Sequence, residues 1–154
     1  MLEHLKEKHR VMREKAQECI NTHAKQAVAV SFIPLVSSPI VYGVCAKMIV
    51  QLDKIFGIPT AKGWDSEILH DILAGVIVSP ALAIPFLGAG VASVFIKSIG
   101  GNYANAVASV VSTSTLEELG DSAFIARRVK EELQAAYAKQ HEKRRKRMKE
   151  KAKG

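Results

Sequence analysis

The residues of this chain that could carry out chemistry are few, and they are spread along the sequence. The histidines and cysteines share no spacing typical of a metal site or a catalytic cluster: His4, His9, His23, His70, His141, Cys19 and Cys45. His70 and Asp71 could titrate as a pair, but polar neighbours are also common at the start of a helix, and that interpretation is favoured. We therefore expect no metal site.

Sequence motifs of common enzyme classes are also missing from the chain. A phosphate-binding loop has the pattern G-x-x-x-x-G-K-[ST], but neither Gly88-Ala-Gly90 nor Gly100-Gly101 is followed by Lys and then Ser or Thr. No Gly-x-Ser-x-Gly nucleophile motif occurs either. The sequence thus predicts a protein that is not an enzyme and that has no cofactor.

The strongest charge feature is a basic run near the C-terminus, which consists of Lys143, Arg144, Arg145, Lys146 and Arg147. Residues 139–154 hold nine Lys or Arg and two Glu, and their net charge of +7 equals that of the whole chain. The run could be a solvated helix end, or it could bind anionic lipid headgroups, where each basic residue contributes roughly 1 kcal/mol. It could also bind an acidic partner or nucleic acid. Nucleic acid is disfavoured as a partner because no aromatic residues alternate with the basic ones to stack on bases.

Two long segments of the chain carry no charged residue. Residues 26–46 are uncharged over 21 positions and residues 72–96 over 25 positions. A helix of that second length measures roughly 37 Å, enough to cross a bilayer core of about 30 Å. Prolines interrupt both segments, and a Pro-broken helical hairpin is expected in each. These prolines are Pro34, Pro39, Pro80 and Pro85.

Three further residues could face a membrane or a partner helix together with these prolines. Gly88 and Ala92 are four positions apart, a spacing that permits close contact between helices. Trp64 could anchor at a membrane interface if the segments enter a bilayer. Packing of Trp64 in a loop and core accounts for its position equally well.

The spacing of apolar residues predicts an all-α fold of five to six helices, with Pro-broken apolar hairpins and a long basic C-terminal helix. A charged helix is expected over 2–24, and a second helix over about 40–56. After a loop at 57–63, Asp65 or Ser66 can cap the next helix.

The second half of the chain is expected to be helical as well. A helix after Pro85 is predicted to end at Gly100-Gly101, and residues 102–119 are small enough for close helix packing. Thr115 and Glu118 have the spacing of a capping box, although a position inside a helix accounts for them equally well. Residues 121–152 form one long predicted helix, whose packed face is expected at Phe124, Ile125, Val129, Leu133, Ala136 and Tyr137.

Composition divides the chain into a charged N-terminal helix at 1–25, an apolar helical core domain at 26–137 and a basic tail at 138–154. The mixed charges of the first part are typical of a solvated or partner-facing helix. Its charged N-terminus differs from a secretory signal, and two isolated cysteines indicate a reducing compartment. We therefore expect the protein on the cytoplasmic side of a membrane or in the cytoplasm.

Two stretches of the sequence have a recognisable pattern. In residues 27–59 a Pro-broken apolar helix precedes a helix with Met48 and a terminal Phe56-Gly57. In residues 96–120 a helix rich in glycine and alanine is followed by Thr115-Leu-Glu-Glu-Leu-Gly120. Together they resemble the YcjF-like family, a group of helical domains found alone or joined to small Ras/Era-like GTPase domains. The resemblance covers roughly residues 24–126.

This resemblance implies a non-enzymatic helical module that is often associated with a membrane and works with or beside a GTPase. It transfers no catalytic residue to this chain. The sequence departs from the family pattern at Ser37-Ser38, where an acidic residue is common, and after Ser98, where the usual proline is missing.

The favoured hypothesis is a membrane-associated helical module that acts with a small GTPase or as a membrane scaffold. Residues 1–25 hold six Lys or Arg, the tail nine and residues 47–71 three, which would place both termini in the cytoplasm if both segments cross. The alternative is a soluble all-α protein-interaction domain that shields its apolar hairpins with its other helices. It includes a conditional form that releases the hairpins into a bilayer, as pore-forming toxins do. The sequence carries no signal for a homo-oligomer.

Overall fold

The computed structural model describes residues 2–30, 37–73 and 89–153, and all secondary structure in these ranges is helical. The helices are α1 (Leu2–Val30), α2 (Ser37–Phe56), α3 (Trp64–Leu73), α4 (Ala89–Thr113), α5 (Leu116–Leu119) and α6 (Ser122–Lys153). The prediction of an all-α protein is therefore confirmed. The predicted break at Ser79-Pro80 lies outside the described residues, as does Pro34 of the other break. The predicted break at Ser37, Ser38 and Pro39 is wrong, because these residues form the first turn of α2, where proline is tolerated.

Helix α2 ends at a glycine in a left-handed conformation. Gly57 has a φ of 66°. Its N–H donates to the carbonyl of Lys54 (3.2 Å), and the N–H of Ile58 donates to that of Asp53 (3.1 Å). This pair of hydrogen bonds is a Schellman motif, in which only glycine adopts the required φ without strain. The loop predicted at 57–63 begins here, and it ends where α3 begins at Trp64.

Helix α3 begins one or two residues earlier than its predicted caps, so the prediction of Asp65 or Ser66 as the cap is wrong. Trp64 is the first helical residue, and the N–H of Glu67 donates to the carbonyl of Gly63 at 2.9 Å. Asp65 and Glu67 therefore lie in the first turn, where carboxylates stabilise the positive end of the helix dipole.

The prediction that Gly100-Gly101 ends a helix is wrong, because α4 continues through both residues to Thr113. The structure gives a different reason for the first glycine. A Cβ atom at Gly100 would lie 2.8 Å from Ile20 Cγ1 and 2.9 Å from Met48 Sδ, whereas one at Gly101 would meet nothing within 4 Å. Gly100 therefore permits the close approach of α1, α2 and α4.

The short helix α5 begins with the capping box that the sequence allowed. The N–H of Glu118 donates to Thr115 Oγ1 (3.2 Å), and the N–H of Thr115 donates to Glu118 Oε2 (2.9 Å). Asp121 then caps α6, since its Oδ1 accepts from the N–H groups of Ala123 (3.0 Å) and Phe124 (3.3 Å). These two caps fix the turn between α4 and α6.

One face of each long helix forms the hydrophobic core. The residues that α6 buries are four of the six predicted ones: Ile125, Val129, Leu133 and Tyr137. Phe124 and Ala136 are half-buried. The second half of α1 also contributes to the core, through Ala16, Cys19, Ile20 and Ala24. Only the first half of α1 therefore has the exposure that its charged sequence suggested.

Contacts near the middle of the body show how the first helices run. Ile20 of α1 and Met48 of α2 both meet α4 at Gly100. Asp53 accepts a hydrogen bond from Tyr103, so positions increase in the same direction along α2 and α4. Helix α1 runs opposite to α2, because Cys19, which precedes Ile20, contacts Gln51, which follows Met48.

Helix α6 runs opposite to α4. A turn of eight residues joins the two helices. Beyond it, Gln140 Nε2 donates to Asn102 Oδ1 at 3.1 Å. The level of Gly100 therefore corresponds to about residue 142 on α6. The N-termini of α2 and α4 and the C-termini of α1 and α6 thus lie at one end of the body.

Candidate functional site

The basic arm, defined here as residues 138–153 of α6, extends beyond the last buried residue of that helix. Tyr137 is only 4% exposed, whereas every residue of the arm is exposed. At 1.5 Å per residue the arm is about 24 Å long. Its charge is therefore presented on a helix that the described residues do not cover.

The five residues of the predicted basic run all lie on this exposed helix. Lys146 Nζ lies 3.5 Å from Glu142 Oε1, an ion pair within the arm. The other four form no ion pair with a described residue: Lys143, Arg144, Arg145 and Arg147. Their positive charge is available to an anionic partner, and the identity of that partner stays a prediction.

The arm lies at the same end of the body as three helix ends that border the rest of the apolar segments, namely the end of α1 and the beginnings of α2 and α4. Helices α1 and α2 border residues 31–36, and α4 borders residues 74–88. From the level of Gly100, each of the helices α1, α2, α4 and α6 continues towards this end for ten or eleven residues, about 15–17 Å. We call this the apolar end of the body.

Most of the residues predicted to face a membrane or a partner are not among those whose side chains the structure describes. Pro34, Pro80, Pro85 and Gly88 lie outside the described residues. Pro39 and Ala92 fall within the first turn of α2 and of α4 respectively, which places both at the apolar end. Their contribution to a binding surface stays a prediction.

Trp64 packs in the core, which is one of the two alternatives that the sequence left open. It is 4% exposed, and its Nε1–H donates to the hydroxyl of Tyr103 at 2.9 Å. Tyr103 in turn donates to Asp53 Oδ1. The three side chains form a buried hydrogen-bond chain that joins α3, α4 and α2.

Asp53 is the acidic end of this chain, and it is only 5% exposed. Burial raises the pKa of its carboxyl from 3.8 to about 7, although hydrogen bonds from Tyr103 and Thr60 act in the opposite direction. Asp53 faces no described cation, and the other charge acting on it is that of Asp65. Its hydrogen-bond partners among the described residues are the side chains of Tyr103 and Thr60. The chain of hydrogen bonds therefore holds the helices together.

Lys130 of α6 forms ion pairs with two carboxylates of α3 on the outside of the same cluster. Its Nζ lies 2.6 Å from Glu67 Oε1 and 3.1 Å from Asp71 Oδ2. It also lies 5.7 Å from the centre of the Trp64 ring, within the range of a cation–π interaction. Asp71 is thus paired with Lys130, and its neighbour His70 is exposed.

Cys19 and His23 lie close together but do not form a nucleophile and base. The thiol is 3.7 Å from His23 Nδ1, yet that nitrogen donates its hydrogen to the Cys19 carbonyl oxygen at 2.7 Å. A protonated Nδ1 cannot accept the thiol proton. Burial also raises the pKa of Cys19, so the reactive thiolate is disfavoured. The Cys19 thiol instead donates to Gln51 Oε1 at 3.5 Å, a contact between α1 and α2.

Two properties of the described residues bear on metals and membranes. They contain no group of three or more His, Cys, Asp or Glu placed to hold a metal ion. No helix in 2–30, 37–73 or 89–153 combines the length and the hydropathy that a bilayer crossing needs.

Comparisons with protein families, with curated proteins and with solved structures find no match to this chain. The resemblance to the YcjF-like family therefore stays a prediction.

The buried cluster around Asp53 was not predicted from the sequence. Asp53 lies at the edge of the apolar face of α2, four positions after Ile49. A carboxyl group at that position indicates that a buried side chain forms a hydrogen bond with it. The partner itself could not be found in this way, because Tyr103 is 50 positions away in the chain.

Proposed function

We propose that this chain is a non-enzymatic helical module that associates with an anionic membrane through the apolar end of its body. The observation that carries the proposal is the common location of two features at that end. One is the basic arm, and the other consists of the end of α1 and the beginnings of α2 and α4, which border residues 31–36 and 74–88. A bilayer surface binds basic side chains at its headgroups and apolar side chains below them.

The charge of the arm supports a substantial electrostatic attraction. Nine Lys or Arg lie in residues 139–154, against two Glu. Each basic side chain near an anionic bilayer contributes about 1 kcal/mol, and the effect is limited to roughly 8–10 Å from the surface at physiological salt. Binding through the arm is therefore expected to weaken steeply as the salt concentration rises.

The uncharged segments would supply the second contribution that stable membrane anchoring needs. Residues 37–46 of one segment form the start of α2 and residues 89–96 of the other form the start of α4, and both starts lie at the apolar end. Residues 31–36 and 74–88 carry no charge, and they would meet the bilayer where the arm meets the headgroups.

Vesicle binding tests the electrostatic part of this proposal. The full chain is sedimented with vesicles of phosphatidylcholine alone and with vesicles that contain phosphatidylserine. A variant with Lys143, Arg144, Arg145 and Arg147 replaced by Gln is expected to lose at least about tenfold in affinity for the anionic vesicles.

The matched control removes four exposed positive charges from the opposite end of the body. It replaces Lys6, Lys8, Arg13 and Lys15 of α1 by Gln, with the same loss of net charge. Affinity for the anionic vesicles should change little in this variant. An equal loss in both variants, or no loss in the arm variant at low salt, contradicts binding through the arm.

A soluble protein-interaction domain is the second candidate. It is favoured by the burial of the described ends of both uncharged segments within the body. Val44 and Cys45 at the end of one segment are buried, as are Ile72 and Ile96 at the two ends of the other. Carbonate extraction separates the candidates, because full recovery in the supernatant rejects integral insertion and leaves at most peripheral binding.

A partner with a small GTPase domain is a further part of the proposal, and it rests on the family resemblance alone. Immobilised full-length chain would be mixed with cell extract in the presence of GTP or GDP, and the retained proteins identified. Retention of no GTPase-domain protein under either condition would count against this partner.

A further inference from the structure

An exposed apolar stripe runs along the first half of α1. Leu2 and Leu5 are 71% and 50% exposed, and His9 and Met12 are half-buried. Their spacing of three and four residues places them on the same face as Ala16, which is buried in the core. The beginning of α1 therefore continues a core-forming face beyond the point where the body covers it.

The stripe lies at the end of the body opposite to the basic arm. Helices α1 and α4 are antiparallel and meet at Ile20 and Gly100. The end of α4 at Thr113 is thus level with about residue 7 of α1. Leu2 and Leu5 lie at or past the end of the helix that covers the rest of this face.

Basic and acidic residues lie on different faces of the first half of α1. Basic residues border it on both sides, with exposed side chains that form no ion pair with a described residue: Lys6 and Arg13 on one side, Lys8 and Lys15 on the other. Acidic residues lie on the opposite face, where Glu7 and Glu14 both pair with Arg10. The side chains of α1 that directly border the stripe are therefore basic on both sides.

We propose that the first half of α1 docks an amphipathic helix of another protein, one whose apolar face is bordered by acidic residues. The leucines would pack against the apolar face, and the four basic residues would meet carboxylates of the partner, as in the flanking positions of a coiled coil. A second copy of this chain is the wrong occupant, because two such stripes would bring basic residues against basic residues. The area is small, so the contact is weak and its specificity is electrostatic.

Two designed peptides of equal length test this proposal with the full chain in a non-ionic detergent. Both carry leucines at heptad core positions, but one has Glu at the flanking positions and the other has Lys. Fluorescence anisotropy of the labelled peptides should show that the chain binds the acidic peptide at least about tenfold more tightly than the basic one. Replacing Lys6, Lys8, Arg13 and Lys15 by Glu should reverse this preference.

Variants of exposed positions distinguish docking at the stripe from electrostatic attraction of the acidic peptide to the whole positively charged chain. The double variant Leu2→Ser with Leu5→Ser should bind the acidic peptide at least about tenfold more weakly than the wild type does. Met148→Ser on the arm, and Glu3→Lys with Glu18→Lys on the outer face of α1, should leave the preference unchanged. Circular dichroism checks that each variant keeps its helix content.

Three results would overturn the proposal. The first is equal binding of both peptides, or binding of neither. The second is self-association of the chain that the leucine variant abolishes, since the occupant would then be a second copy. The third is a loss of vesicle binding in the leucine variant without a loss of peptide binding, since the stripe would then contact lipid. None of these results depends on whether the basic arm binds a membrane.

Discussion

At the scale of single residues, the buried chain from Trp64 through Tyr103 to Asp53 joins three helices that are distant in sequence. Each member donates to the next, and all three side chains are deeply buried, with relative exposures of 4%, 0% and 5%. A buried polar cluster of this kind specifies how helices are paired, because any other pairing would leave its atoms without partners. Its carboxyl group also makes stability depend on pH.

Asp53→Asn removes the titrating group and keeps an acceptor for Tyr103. The pKa of Asp53 is about 7 in the folded chain and 3.8 without burial, so the folded chain binds this proton more tightly. The stability due to this group is fully present below pH 3.8 and is lost as the pH rises towards 7. The free energy of unfolding of the wild type minus that of the variant should fall by up to about 1.4 kcal/mol per pH unit across this range.

The single tryptophan, Trp64, provides the signal for this measurement, because it is buried in the same cluster. Urea unfolding of both chains is followed by its fluorescence at several pH values. A difference between the two chains that stays constant from pH 4 to pH 7 would show that Asp53 does not titrate with a raised pKa.

The two adjacent glycines of α4 offer a matched pair of substitutions. Gly101→Ala meets open space and should stabilise the helix by up to about 1 kcal/mol. Gly100→Ala gains the same propensity but pushes against Ile20 and Met48, at a cost of about 1–3 kcal/mol. Urea unfolding should rank Gly100→Ala below Gly101→Ala by at least about 1 kcal/mol, and equal stability would contradict the close packing.

At the scale of elements, the periodicity of apolar residues was enough to predict the helices α2 and α6 within a few residues. The buried face of α6 was predicted because large apolar residues repeating every four positions are typical of a helix that packs on a core. The glycines of α4 were misread for a physical reason. A Gly-Gly pair gives the same local signal where a helix ends and where a neighbouring helix packs closely, and only the tertiary contact with Ile20 separates the two.

Of the two candidate sites, the basic run could be predicted from the sequence and the stripe of α1 could not. The basic run was found from the sequence because its residues are contiguous, so no folding is needed to bring them together. The stripe of α1 could not be recognised from the sequence, because Leu2 and Leu5 belong to the same repeat of three and four residues as the core residue Ala16. Their exposure depends on where α4 ends.

Truncation after Gln140 tests whether the arm is independent of the packing of α6. Residues 141–153 are all exposed, so the free energy of unfolding should stay within about 0.5 kcal/mol of the full chain. Leu133→Ala is the contrasting variant, because it removes a fully buried side chain and should cost about 2–5 kcal/mol. A truncated chain as unstable as Leu133→Ala would show that the arm packs on the body.

At the scale of the whole molecule, the two ends of the body differ in charge and in what they expose. The apolar end carries the basic arm, the end of α1 and the beginnings of α2 and α4. The other end carries the exposed leucines of α1. We therefore infer a module that is held to a membrane at one end and presents a helix-docking surface at the other, about 35 Å away along the helices.

The most direct test of this inference measures which end of the body lies at the bilayer. A fluorescent label is placed through an introduced cysteine at Lys151 in one variant and at Lys6 in another, after replacement of the buried Cys19 and Cys45. Energy transfer to acceptor lipids in anionic vesicles is then compared. We predict strong transfer from position 151 and weak transfer from position 6. Equal transfer from both positions, or stronger transfer from position 6, would contradict attachment of the membrane at the apolar end.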